Sequence, residues 1–189
     1  MDDDGNEAAT GVHTIEQDGD TFVFGTRYES PNGNSDTTTV VVNAETLKPV
    51  SSVRLIENDN TDDEDRIEAT YTEDSVLIKT GDRQSGLTLD EHAYDNDSSL
   101  FLWRSIAFEE GYEASYITVI TNQRAEQQVI LRVPRKETVN VPAGEFTAWR
   151  LEIITSNARQ VAWYADTADR PLVRYDNDRG TIFELTSQP

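Results

Sequence analysis

There is no cysteine among the 189 residues. That absence excludes disulfides, thiolate nucleophiles and cysteine-ligated zinc together. Histidine occurs twice, as His13 and His92, each in a loop-like stretch. A hydrolase triad needs an imidazole beside an activated serine, and no glycine-x-serine-x-glycine elbow supplies one. Lysine stands only at Lys48, Lys79 and Lys136, so the 16 basic residues are nearly all arginine. Long apolar runs are missing too. Nothing approaches the roughly 20 residues of a membrane-spanning helix, and no signal-peptide pattern is found.

What the chain has in quantity is acid. Against those 16 basic residues stand 36 acidic ones, a formal net charge of −20. Nucleic acid is bound by a basic surface that displaces counterions, and anionic lipid attracts basic segments; the charge argues against binding nucleic acid and against electrostatic docking to anionic lipid. The acidity reads as a solubility device suited to salty surroundings. Met1-Asp-Asp-Asp-Gly-Asn-Glu7 has no periodicity. Residues 1–10 therefore read as a disordered acidic leader ahead of one antiparallel β domain over 11–187. The targeting segment is expected to be missing from this chain.

The β pattern is clearest from Arg135 to Leu185. Pro142-Ala-Gly144 makes a tight turn, because proline presets φ and glycine accepts a left-handed position. Beyond it Trp149, Leu151 and Ile153 share a face by period two, and so do Val161 with Trp163, Val173 with Tyr175, and Phe183 with Leu185. Arg150, Glu152, Gln160, Arg174 and Glu184 fall on alternate positions, which predicts one apolar and one charged face. Upstream strands are expected near Thr21–Tyr28, Thr37–Asn43, Val50–Ile56, Arg66–Tyr71 and Ser75–Lys79. A long hairpin is expected over Tyr112–Val133. Mid-chain the alternation stops. With Asp97 as N-cap, Leu100, Trp103 and Ala107 share one helical face, which predicts a short helix near 98–106.

Tyr94-Asp-Asn-Asp-Ser-Ser-Leu-Phe-Leu-Trp-Arg104, Phe108-Glu-Glu-Gly-Tyr112, Lys136-Glu-Thr-Val-Asn-Val-Pro-Ala-Gly-Glu-Phe146 and the run from Trp163-Tyr-Ala-Asp to Arg170-Pro-Leu-Val-Arg-Tyr175 carry a resemblance. In this order, over Phe22 to Leu185, they resemble an exported bacterial family known as domain of unknown function 3108. The resemblance implies an all-β fold: a strongly curved antiparallel sheet or open half-barrel, similar to periplasmic lipoprotein carriers, with helical material at its open side. It also implies a periplasmic, lipid-anchored or secreted location. It brings no catalytic residues.

The residues themselves offer few chemical constellations. Asp59, Asp62, Asp63 and Asp65 crowd one acidic loop, and calcium takes six to eight oxygens. The EF-hand pattern fails, however, with Glu64 at its glycine position and Thr70 at its twelfth. Such a loop reads first as solvated surface. Arg104 stands in an apolar helix beside Trp103. A guanidinium drawn inward must be paired, either by a sheet carboxylate such as Glu113 or Glu152 or by a ligand headgroup. No cofactor is called for. Three classes of function stay open. The first is a non-enzymatic envelope protein holding an apolar, lipid-like ligand, with Trp103, Arg104, Trp149 and Trp163 as its site. The second is a protein-docking or scaffolding module. A hydrolase comes last, for want of a nucleophile–base set.

Overall fold

The computed structural model describes residues 9–58 and 64–187. Seven strands follow one another in a first sheet: β1 (Thr10–Asp18), β2 (Thr21–Glu29), β3 (Ser35–Asn43), β4 (Pro49–Glu57), β5 (Glu64–Tyr71), β6 (Ser75–Thr80) and β7 (Arg83–Thr88). Each is antiparallel to the next, in sequence order. The second sheet holds β8 (Ala93–Asp95), β9 (Tyr112–Ile120), β10 (Ala125–Val141), β11 (Gly144–Ile154), β12 (Arg159–Ala165), β13 (Leu172–Asp176) and β14 (Ile182–Glu184), again in sequence order. A 3-10 turn, Asn96–Ser98, and one helix, α1 (Ser99–Arg104), lie between β8 and β9.

The mainly β reading holds, but the strongly curved sheet or half-barrel does not. The strands divide into two open seven-stranded sheets, neither closed nor strongly curled, with edges at β1 and β7 and at β8 and β14. Alternation along a strand says which face is buried; it does not say where a sheet stops. One pair also departs from the antiparallel rule, since β8 runs parallel to β9. The turn and helix between them form the kind of long crossover that returns a chain in the same direction. The helix is shorter than expected and starts differently. Its first turn is 3-10, and Asp95 rather than Asp97 is the cap, accepting from the Asp97 amide. Ala107 lies beyond its end and is exposed.

Three strands had no signal. β1 carries Val12 and Ile15 three apart, so it shows no alternation, and all nine of its residues are exposed. β7 has one large apolar residue, Leu87, and β8 is three residues long. In the other direction, the expected hairpin ending at Val133 and the stretch beginning at Arg135 are not separate. β10 runs through Pro134 as one strand of 17 residues, with a register shift against β11 between Arg132 and Arg135. A bulge is where a residue without an amide donor is tolerated. The 142–144 turn is as expected, and Gly144 takes φ +128°, a conformation open to glycine.

The described residues fall into two compact units, one drawn from Ala8–Ser99 and Ile117–Gln127, the other from Leu100–Tyr116 and Gln128–Pro189. The first unit packs Ile67, Ala69 and Tyr71 of β5 against Val76 and Ile78 of β6, Ala93 of β8 and Val119 of β9. In the second, Trp103 joins Val129, Leu131, Val133, Leu151, Ile153, Ala162 and Tyr164. A further cluster in that unit holds Val139, Ala148, Trp163, Ala165 and Val173.

That last cluster corrects the expected faces. Trp149 is paired with Tyr164, and Trp163 with Arg150. Trp163 therefore stands with the arginines, on the face opposite Trp149. A one-residue change of register moves every side chain to the other face, and the register here is set by the turn that pairs Ile154 with Arg159. Both faces of this sheet carry apolar side chains, where one charged face was expected.

Candidate functional site

The first unit gathers acids around one buried carboxylate, Asp95. Strand pairing fixes the frame: Tyr28, Asp36 and Ile56 stand in one row across β2, β3 and β4, and Thr26, Thr38, Arg54 and Ile67 stand two residues along, on the same face, across β2 to β5. Arg54 thus lies diagonally across from Asp36 and grips it with two bonds, Nε to Oδ1 at 2.9 Å and Nη2 to Oδ2 at 2.5 Å. A fork-to-carboxylate pair of this kind is strong and directional. Its other nitrogen, Nη1, reaches to 3.9 Å from Asp97 Oδ1.

Beside this pair Asp95 is fully buried. It ends β8 and faces Val119 in the parallel ladder with β9. Tyr71 Oη donates to Asp95 Oδ2 at 2.5 Å, and the Asp97 amide donates to Oδ1 at 2.8 Å. Ser52, itself buried, adds a third hydrogen bond. The Asp95 carbonyl accepts from the buried Ser98 hydroxyl at 2.8 Å. Burial first, and then the charge of Asp97, push the Asp95 carboxyl up to about 6. Burial also raises Asp97, opposed by Arg54. Desolvation, with the Asp95 charge next, raises Tyr71 far above the usual tyrosine range. Tyr28 is pushed up to about 12 by burial and by Asp36 and Asp97. At its outer end Tyr28 Oη meets His13 Nε2 at 3.1 Å.

Of this network the sequence singles out Asp97 as a cap, and Asp95 with Asp97 as one of many chance carboxylate pairs; Asp36, Arg54, Ser52 and Tyr71 carry no signal. In a chain with 36 acidic residues, a buried aspartate looks like a solvated one.

The residues that were singled out are dispersed. Trp103 is 4 % exposed, and its Nε1 donates to Tyr116 Oη at 3.0 Å. Trp149 packs on the same cluster. It is stacked with Phe108 at 6.2 Å, lies 4.3 Å beneath Lys136 Nζ, and donates to Asp166 at 2.8 Å. Trp163 is on the other face. Its ring lies between the guanidinium groups of Arg150, at 5.3 Å, and Arg174, at 5.5 Å, and its Nε1 donates to Glu137 at 2.6 Å. Arg104 is half-buried in the last turn of α1, and its carbonyl accepts from Arg170 at 3.4 Å. The two carboxylates named for it face other arginines, Glu113 with Arg132 and Glu152 with Arg150. Of the calcium candidates, Asp59, Asp62 and Asp63 lie outside the described residues. Asp65 is exposed on β5. Among the described residues no three His, Cys, Asp or Glu side chains converge as metal ligands would. No helix among them is long and apolar enough to cross a membrane.

Comparison with known proteins bears on the fold. A crystal structure of a beta-barrel-like protein of domain of unknown function DUF1849 from Brucella abortus superposes with a TM-score of 0.60. The likeness covers 93 % of this chain and 86 % of that one. At 10 % identity it speaks for the fold alone. No curated protein matches the chain. The model of the family described as protein of unknown function DUF3108 matches residues 3–181. With nearly the whole chain matched, and with the Tyr94–Arg104 and Lys136–Phe146 runs inside that span, this protein belongs to the DUF3108 family.

Proposed function

We propose that this domain is a non-enzymatic docking module of the bacterial envelope, and that the outer edge of β1 receives an extended segment of a partner protein. One observation carries the reading. β1 is nine residues long and exposed throughout; it pairs with β2 over its whole length and, among the described residues, has no other neighbour in its sheet. Edge strands are ordinarily blunted by brevity, lysine, proline or a bulge, because their free amides and carbonyls template another strand. β8 and β14 are short, three residues each, and β7, six residues long, starts at Arg83 and turns its one large apolar side chain, Leu87, to the core. β1 has no lysine or proline, its register with β2 is unbroken, and Val12 and Ile15 are 60 % and 42 % exposed. Strand addition draws affinity from the backbone and specificity from alternate side chains. A location outside the cytoplasm is what the family resemblance implies. A non-enzymatic role is favoured because the most perturbed acid, Asp95, is closed to solvent, whereas a catalytic group must reach its substrate.

The test uses a labelled nine-residue peptide alternating valine and threonine with terminal lysines, titrated by fluorescence anisotropy. Binding is expected, with new exchange protection of the β1 amides that face away from β2. Val12→Lys with Ile15→Lys weakens it at least tenfold while leaving the unfolding midpoint in place. No binding, or protection confined to other strands, overturns the reading.

A second reading, an apolar lipid-like ligand, draws on the half-buried Leu100, Leu102, Phe108 and Trp149 beside the Trp103 cluster. Under it a fluorescent fatty acid binds saturably and Trp149→Ala weakens that binding. A flat titration removes it.

A further inference from the structure

We propose that Asp95 and Asp97, with the groups that hold them, form a proton-loaded latch that clamps β8 and the 3-10 turn onto the first sheet, tight in mildly acidic surroundings and slack in alkaline ones. The proposal stands apart from the β1 reading and rests on a count of groups. Among the described residues, three carboxylates, the fully buried Asp95 and the part-buried Asp97 and Asp36, cluster with one guanidinium, the part-buried Arg54. Arg54 is committed to Asp36 through both Nε and Nη2 and only approaches Asp97, at 3.9 Å. Asp95, fully buried, is held by neutral donors instead: the Tyr71 hydroxyl, the Ser52 hydroxyl and the Asp97 amide.

A buried carboxylate without a cation is costly in its ionised form. It sheds that cost by keeping its proton. Among the described residues no cation touches Asp95. β5 presents Tyr71, β4 presents Ser52 and Arg54, β3 presents Asp36 and β2 presents Tyr28, with His13 of β1 beyond it. The turn adds Asp97, and β9 faces Asp95 with the apolar Val119. Its acidity is displaced accordingly, from 3.8 to about 6, by burial and then by Asp97.

The direction of the pH effect follows. An acid whose folded pKa lies above its unfolded one binds protons more tightly in the folded chain. Its stabilising contribution is complete below about 3.8 and is lost as pH rises through about 6. The clamp involves two elements, because the same carboxylate that ties to Tyr71 and Ser52 also caps the turn. Weakening it loosens β8 and Asn96–Ser98 together.

Two measurements on the full chain test this. The first compares unfolding equilibria of the wild type and Asp95→Asn, a neutral near-isostere, at pH 5 and pH 8. Every exposed acid contributes to the pH dependence of both, so the difference isolates Asp95. The wild-type folding constant is expected to fall at least about tenfold more than that of the variant. The second follows the Asp95 side-chain carboxyl carbon by NMR in the wild type, and so needs no variant to fold. A midpoint near 6 is expected. A midpoint at or below 4, or identical pH dependence in the two chains, overturns the latch.

Discussion

At the scale of single residues, the least replaceable groups are hydrogen-bond donors to buried or half-buried acids. Tyr71→Phe keeps the ring and removes one donor from Asp95. Hydrogen bonds to charged groups contribute about 1.5–3 kcal/mol, so a loss in that range is expected in urea unfolding at pH 8. At pH 5, where Asp95 is protonated, the loss is smaller; equal losses at both pH values would place the carboxylate in one protonation state throughout. Trp163 makes a similar case on the other unit. Trp163→Phe removes the bond to Glu137 but keeps an aromatic ring between Arg150 and Arg174. A drop of roughly 1–2 kcal/mol is expected, and a variant as stable as wild type would show the indole N–H to be dispensable. The sequence drew attention to Trp103, Trp149 and Trp163 because tryptophan is rare and large. It showed Asp95 only as one acid of a local pair with Asp97, because burial of an acid depends on strands β4 and β5 that lie far from it in the chain.

At the scale of elements, the local chemistry of turns was readable and the pairing of strands was not. Pro142 and Gly144 announce their turn, since each restricts or frees φ at one position. Asp97 looked like a helix cap by its place before an apolar run, yet the cap is two residues earlier. The 3-10 turn that precedes α1 tightens the entry, and a tightened entry shifts which amide faces which side chain. The two aspartates therefore separate by experiment. Asp95→Ala removes the cap and the Tyr71 and Ser52 contacts together, whereas Asp97→Ala relieves a like charge. The first is expected to destabilise by about 2 kcal/mol or more, the second by clearly less. A larger effect at Asp97 in denaturant melts would reverse the assignment. Pro134 is the other lesson. The hairpin was expected to end just before it, at Val133, but the register shift between Arg132 and Arg135 accommodates the proline and β10 continues.

For the molecule as a whole, the charge of −20 is a property the fold has to withstand. Many of its surface ion pairs, such as Arg132 with Glu113, are exposed, and pairs of that kind contribute little. Repulsion among the remaining acids opposes compaction and is screened beyond about 8 Å at physiological ionic strength. The melting temperature is expected to rise from low salt to molar salt, and a flat profile in calorimetry would show that repulsion is not limiting. Why two open sheets stand where one curved sheet was expected is also a matter of scale. Alternation reports the burial of each strand separately. The division between β7 and β8 rests on where hydrogen bonding stops, and Leu87, Thr88 and Leu89 give no sign of that. One consequence of the strand order concerns time rather than stability. Within each sheet every strand neighbours the one before it in the chain, so no strand must wait for a partner synthesised much later. Folding slows as contacts join more distant parts of a sequence, and this arrangement keeps them close. A chain delivered end first can lay down each sheet strand by strand, by hairpins everywhere except the parallel β8–β9 step, and stopped-flow refolding is expected to be faster than that of Greek-key sandwiches of equal length.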